Sequence, residues 1–241
     1  MAWFFTDFPV SGENYVITGE NARHIEKSLR MKIGESLTLV DNLGMQYSCH
    51  IDKIISDTVT VKIDEKFVCQ NEPTVSVTLY QALPKGDKMD FIVQKAVELG
   101  VAEIVPVVSA RCISRPDEKS LNKKIQRWNK IALQAAQQSR RGMVPKVRAA
   151  LSFQEAVSQL NENDCNIIFY ECGGKKTGDI IPSDIRHINM FIGSEGGFEE
   201  YEVNAVVERG GNPATLGKRV LRAETAPLCA VSVIMYLTGN I

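Results

Sequence analysis

Ile188-Asn189-Met190-Phe191-Ile192-Gly193-Ser194-Glu195-Gly196-Gly197-Phe198-Glu199-Glu200 is the segment on which the fold turns. Its first five residues form an apolar run broken only by Asn189, the pattern of a strand covered on both faces. Glu199, Glu200 and Glu202 then open an amphipathic helix carrying Val203, Val206 and Val207, with acidic groups near the positive end of its dipole. Gly210 and Gly211 stop that helix. Between strand and helix stand three glycines in five residues, which tolerate unusual backbone angles and let a ligand approach the main chain. A second bend of the same kind, Leu216-Gly217-Lys218-Arg219-Val220-Leu221-Arg222-Ala223-Glu224-Thr225-Ala226, follows the short apolar strand that starts at Pro213. Both bends are expected to form a binding site.

Working outward, strands alternate with helices from about residue 74 onward, which predicts an α/β domain over 74–241 with a mostly parallel sheet. Val75 to Tyr80, Ile104 to Val108, Asn166 to Tyr170, Ile188 to Ile192 and Pro213 to Leu216 are its strands. Met89, Ile92, Val93, Ala96 and Leu99 make one helical stripe, with Gly100 as its stop. Residues 1–70 read differently. Tyr15 to Ile17, Ser36 to Val40, Gln46 to Ile51 and Thr58 to Ile63 are short strands parted by turn signals, with Asp41-Asn42-Leu43-Gly44 as a tight connection. A small β-barrel is expected there, interrupted by one helix over Asn21 to Arg30.

Composition narrows the classes. A 44% hydrophobic share in 241 residues is ample for packed cores. No apolar run approaches the roughly twenty residues that span a bilayer, and the first residues lack a basic segment before a long apolar one, so no membrane partner and a cytoplasmic location are expected. Cys49, Cys69, Cys112, Cys165, Cys172 and Cys229 are scattered without a Cys-x-x-Cys pair, and His24, His50 and His187 stand far apart. These read as buried free thiols and no metal site. Net charge is −1, yet Lys119 to Arg148 holds nine basic residues and no acidic one. A cationic stretch of that length in a balanced chain predicts nucleic-acid binding.

Taken in order, Leu29-Arg30-Met31-Lys32-Ile33-Gly34-Glu35, Leu83-Pro84-Lys85-Gly86-Asp87-Lys88-Met89-Asp90, Lys95 to Val101, Gln134 to Arg141 and the two bends resemble the bacterial 16S ribosomal RNA uridine-N3 methyltransferase family, within the SPOUT superfamily. The resemblance covers nearly the whole chain. It implies a PUA-like RNA-binding barrel, a methyltransferase domain with a trefoil knot in which the segment from Leu216 to Thr225 threads beneath the loop at Gly193, and S-adenosylmethionine as cofactor. It further implies 16S rRNA or the 30S subunit as partner, and a homodimer whose site draws on both subunits. Without it, the expectation would be an unknotted doubly wound sheet.

By the same resemblance, Phe169, Tyr170, Gly193, Ser194, Gly196, Gly197, Leu216, Gly217, Val220 and Leu221 surround the cofactor. Ser194 stands where the family usually has proline, exchanging a fixed φ for a hydroxyl and a backbone donor. Uracil N3 becomes nucleophilic only as its proton leaves. Arg222 is therefore the candidate for stabilising negative charge, with Glu195 or Glu224 accepting the proton or holding Arg222. Arg23, Arg30, Lys32, Arg140 and Arg141 are the expected phosphate contacts. Two alternatives remain open here: a SPOUT enzyme acting on a ribose 2′-hydroxyl, and a non-catalytic RNA-binding assembly factor.

Overall fold

The computed structural model describes residues 2–241. They divide into two compact units, one made of residues 2–72 with Ala136–Val144, the other of Pro73–Ala135 with Pro145–Ile241.

In the first unit, β1 (Ala2–Phe5), β2 (Asn14–Ile17), α1 (Gly19–Arg23), β3 (Ser36–Val40), β4 (Met45–Ile55) and β5 (Thr58–Val68) follow in order, with a π-helical turn at His24–Ser28 after α1. The strands form one sheet in the order β1-β3-β4-β5-β2, in which β1 runs parallel to β3 and the other pairs are antiparallel. Asp41 builds the β3–β4 turn by accepting the amides of Leu43 and Met45. Register shifts at Ser48/Cys49 and Ile51/Lys53 bend the two long strands. Phe4, Ile17, Ile25, Leu37, Leu39, Ile51 and Val61 share the resulting core.

Residues 136–144 join this unit through a buried anchor. Arg141, only 3% exposed, donates from Nε and Nη2 to the two carboxylate oxygens of Glu72 at 2.8 and 2.7 Å. The Gly142 amide donates to Glu72 Oε1, the Trp3 indole donates to Arg141 O, and Asn71 donates to Arg140 O. A two-pronged guanidinium–carboxylate pair is the geometry best able to repay desolvation of both charges.

The second unit contains β6 (Ser76–Ala82), α2 (Lys88–Glu98), β7 (Glu103–Val108), α3 (Glu118–Gln138, whose last turn passes to the first unit), β8 (Lys146–Val147), β9 (Leu151–Ser152), α4 (Phe153–Ser158), β10 (Cys165–Phe169), β11 (Lys175–Lys176), β12 (His187–Ile192), α5 (Glu200–Val207), β13 (Asn212–Thr215) and α6 (Thr225–Leu237). Its eight strands make a parallel sheet ordered β11-β13-β10-β12-β6-β7-β8, with β9 also on β7. Every residue of β10 is buried, as is all of β12 except His187, so both strands are sheathed on either face. Because all strands point the same way, their C-terminal ends, and the bends that follow them, lie at one edge. In open α/β sheets that edge is where ligands bind.

The six cysteines are all free thiols: Cys49, Cys69, Cys112 and Cys165 are buried as expected, but Cys172 is exposed and Cys229 half-buried. Cys172 lies in the bend after β10, outside any apolar strand that could cover it.

Candidate functional site

The bends after β10, β12 and β13 enclose a cavity of about 410 Å³. It is lined by Phe169, Tyr170, the run from Gly193 to Gly197, and the run from Leu216 to Ala223, with Lys88 on one side. All ten residues named as the cofactor's surroundings line this cavity, together with Glu195 and Arg222. Leu216 and Leu221 are half-buried, and Val220 is 84% exposed, so these side chains are cavity wall rather than packed core.

The glycine bend is held tightly. Gly197 N donates to Ser194 O at 3.0 Å, and its φ of +67° is one that glycine adopts without strain. A Cβ on Gly193 would lie 2.9 Å from Gly197 Cα, so the turn closes only because residue 193 has no side chain. Beneath it, Phe198 packs against Phe153, which packs against Phe191, itself stacked on Tyr80 at 4.5 Å between ring centroids. From β7's end, Arg111 clamps the outer side: it donates to Gly196 O and to Glu199 Oε2, both at 3.0 Å. The Ser194 hydroxyl also donates to Arg111 O at 3.4 Å, a donor that a proline would lack, and so ties the turn to the neighbouring bend. Gln81 Nε2 donates to Gly193 O from β6.

A group that sequence reading left unassigned sits at the centre of the charges. Lys88 Nζ, on the first turn of α2, lies 2.9 Å from Glu195 Oε1 and 3.0 Å from Glu224 Oε2. The first contact is an aligned hydrogen bond, whereas Glu224 Oε2 is an ion-pair partner without an aligned donor. The Lys85 amide adds a further bond to Glu195. The close carboxylate of Glu195, then that of Glu224, pushes Lys88 above its ordinary value. Burial alone would raise Glu195, but the bonds from Lys88 and from backbone amides outweigh it and hold the carboxyl below the usual range. Glu224 is also held low, first by a backbone amide and then by Lys88. Both acids are therefore ionised at neutral pH.

Neither acid holds Arg222, contrary to one of the roles expected of them; both turn to Lys88 instead. Arg222 is exposed at the cavity and has no ion pair or side-chain hydrogen bond among the described residues. It acts on Glu224 only through its charge, at longer range.

The five expected phosphate contacts separate into two sets. Arg23, Arg30, Lys32 and Arg140 are exposed on the first unit. Arg30 and Arg140 have φ values of +52° and +59°, a left-handed conformation that costs a non-glycine residue about 1–2 kcal/mol. Arg141 differs: an internal anchor locked to Glu72 has no free guanidinium to offer a phosphate. Among the described residues no group of three or more His, Cys, Asp and Glu side chains gathers as metal ligands, and no helix is long and apolar enough to cross a membrane.

Comparison with known proteins agrees with this geometry. A model described as the RNA methyltransferase domain matches residues 70–235, and one described as the RNA methyltransferase PUA domain matches residues 17–64. The chain is 36% identical over 233 residues to the ribosomal RNA small subunit methyltransferase E of Bacillus subtilis (strain 168), covering 93% of this chain and 90% of that protein. It is also similar to the crystal structure of the Neisseria gonorrhoeae ribosomal RNA small subunit methyltransferase E bound to S-adenosyl methionine, with a TM-score of 0.91, 33% identity and 98% of each chain covered. A Legionella pneumophila methyltransferase in complex with the cofactor SAM gives a TM-score of 0.86 at 30% identity, over 98% of this chain and 96% of that one.

Proposed function

This chain belongs to the ribosomal RNA small subunit methyltransferase E family, and from that premise we propose that it methylates N3 of a uridine in 16S ribosomal RNA using S-adenosylmethionine. The observation that carries the reading is the cavity at the C-terminal edge of the parallel sheet, where two bends far apart in sequence meet. Its volume falls within the range of small-ligand sites, and its walls combine apolar side chains with the exposed backbone of a glycine turn. Such walls fit a nucleoside, and the nearby carboxylates of Glu195 and Glu224 suit a sulfonium. Phe169, Tyr170, Gly193, Ser194, Gly196, Gly197, Leu216, Gly217, Val220 and Leu221 would hold the cofactor. The trefoil knot belongs to the same proposal: the segment from Leu216 to Thr225 passes beneath the Gly193 loop. It is supported by β13 lying between β10 and β11 while its following bend walls the same cavity.

When bound, S-adenosylmethionine supplies an electrophilic methyl carbon, which bonds to N3 as the carbon–sulfur bond breaks and sulfur keeps the electron pair. The chain's own part is to orient the base, to receive the N3 proton and to stabilise charge on the uracil oxygens. Arg222, permanently protonated and unpaired, stabilises that charge. Glu195 and Glu224, both ionised, are in the form that accepts a proton. Holding the partners in line accounts for most of the rate.

Residues 1–70 carry RNA binding, through Arg23, Arg30 and Lys32 together with Arg140 of the segment that joins their unit, while residues 74–241 carry catalysis. Strained backbone at Arg30 and Arg140 supports that assignment, since such strain persists where function needs it. The enzyme works as a homodimer in the cytoplasm on the 30S subunit or its RNA. Mass spectrometry of modified nucleosides, after incubation with S-adenosylmethionine and either 30S particles or naked 16S RNA, tests the reading. The expected product is 3-methyluridine; a 2′-O-methylated nucleoside or no product refutes it.

A further inference from the structure

Three bends meet at one ammonium. Lys88 starts α2, Glu195 sits in the glycine turn after β12, and Glu224 closes the bend after β13, 107 and 136 residues further along the chain than Lys88. We propose that Lys88 is a positioning residue: by engaging both carboxylates at once it ties the two cavity-forming bends together and keeps Glu195 and Glu224 aimed and ionised. The inference rests on the methyltransferase reading for its consequence in catalysis, but its geometric part stands on this structure alone.

Two acids bound about 3 Å from one nitrogen are themselves no more than about 6 Å apart. At that range unscreened like charges disfavour each other's ionisation, so the lysine is what makes a doubly ionised pair tolerable. The other charged groups lining the cavity are Glu171, Lys218, Arg219 and Arg222, none of them bonded to the cluster among the described residues. Lys88 faces Glu195 and Glu224, Glu195 receives the Lys85 amide as well, and Glu224 feels Arg222 at longer range. Among the described residues Arg222 makes no ion pair, so it cannot replace Lys88 without leaving its exposed place at the cavity. Lys88 also lines the cavity, so its loss alters the site directly and not only the packing beneath it. A lysine needed only for folding would be replaceable by an uncharged chain of similar length with no effect on ionisation.

The test compares wild type with Lys88→Met, Lys88→Arg and the double variant Lys88→Met with Glu224→Gln, reading S-adenosylmethionine affinity by calorimetry and ligand-free unfolding temperature, each from pH 5 to pH 8. In Lys88→Met one carboxylate's pKa rises to about one unit above the usual carboxyl value, so affinity falls about fourfold between pH 7.5 and pH 5, while wild type changes less than about 1.5-fold. Lys88→Arg restores the flat profile, and the double variant, with one acid neutralised, loses the new acid limb. Profiles for Lys88→Met that parallel wild type in both measurements overturn the inference, as does an acid limb that survives in the double variant. Should Lys88→Met fail to fold, the Arg and double variants decide: a foldable double variant with a flat profile supports the charge role, and its misfolding refutes it in favour of packing. Absence of cofactor binding by wild type would sink the methyltransferase reading instead, and the ligand-free unfolding profiles would still judge Lys88.

Discussion

Replacing Gly193 by alanine is the sharpest probe of the glycine turn. The added Cβ would stand 2.9 Å from Gly197 Cα and 3.1 Å from Gly197 C. Carbon atoms rest at about 3.5–4.0 Å, so the two limbs of the turn must part by about 0.6–1 Å. Both colliding groups are main chain of one short turn, closed by the Gly197 N to Ser194 O bond, and neither can rotate away as a side chain would. Overpacking of this sort costs about 1–3 kcal/mol. In a unit of this size that lowers the unfolding temperature by about 2–10 °C. If instead the turn opens only when the cofactor demands its original shape, the same energy appears as about a 5- to 150-fold loss of affinity. Scanning calorimetry and titration calorimetry with S-adenosylmethionine together capture the whole cost. Gly217→Ala is the contrast: nothing lies within 4 Å of its Cβ, and only its φ of +102° is penalised. Wild-type unfolding temperature and wild-type affinity in Gly193→Ala would refute the claim that contact across the turn shapes the cavity.

Arg222→Ala should lower turnover by about 10²–10³-fold while changing cofactor affinity little, the pattern of a group that acts on developing charge; steady-state kinetics beside calorimetry would show otherwise if both fell together. Arg141→Ala strips Glu72 of its two-pronged partner and should destabilise the first unit by about 3 kcal/mol, seen in urea unfolding, whereas Arg140→Ala should leave stability within about 0.5 kcal/mol and weaken RNA binding in a salt-dependent way. Glu195 and Glu224 have carboxyls held below their ordinary value of 4.5, so the stability they contribute is present above that pH and is lost as pH falls through their lower folded values. Unfolding temperature followed from pH 6 to pH 3 should accordingly drop less steeply in Glu195→Gln than in wild type.

Legibility followed local pattern. The alternating stretch Ser36 to Val40 and the apolar run Ile188 to Ile192, broken only by Asn189, coincide with β3 and, within one residue, with β12, because a strand's burial is written in its own side chains. β1 is not legible because Ala2-Trp3-Phe4-Phe5 is four apolar residues without alternation, and β8, β9 and β11 are two residues each, too short for any period. The helix expected over Asn21 to Arg30 is a five-residue α-helix followed by a π-helical turn, a difference in hydrogen-bond spacing to which side-chain periodicity is nearly blind. At the site, glycines announced the bends, but Lys88 read as one more charge at the start of an amphipathic helix. Its role depends on two acids more than a hundred residues away, and only the sheet order brings them together. Arg141 misled for the opposite reason: adjacent arginines look like a solvent-facing pair, and nothing local marks Glu72 as the partner that draws one of them inside.

β13 is made after every other strand of its sheet, yet it does not settle at a margin; it is flanked by β10 on one side and β11 on the other. A ribosome that has released everything up to Gly211 has therefore produced a sheet with a vacant slot and no floor to its cavity. Cofactor capture becomes a late event in the life of each molecule, available only after residues 212–226 have found their way inward. A chain stopped at Gly211 would keep Lys88 and the glycine turn but lack Arg222, Glu224 and the second wall of its cavity.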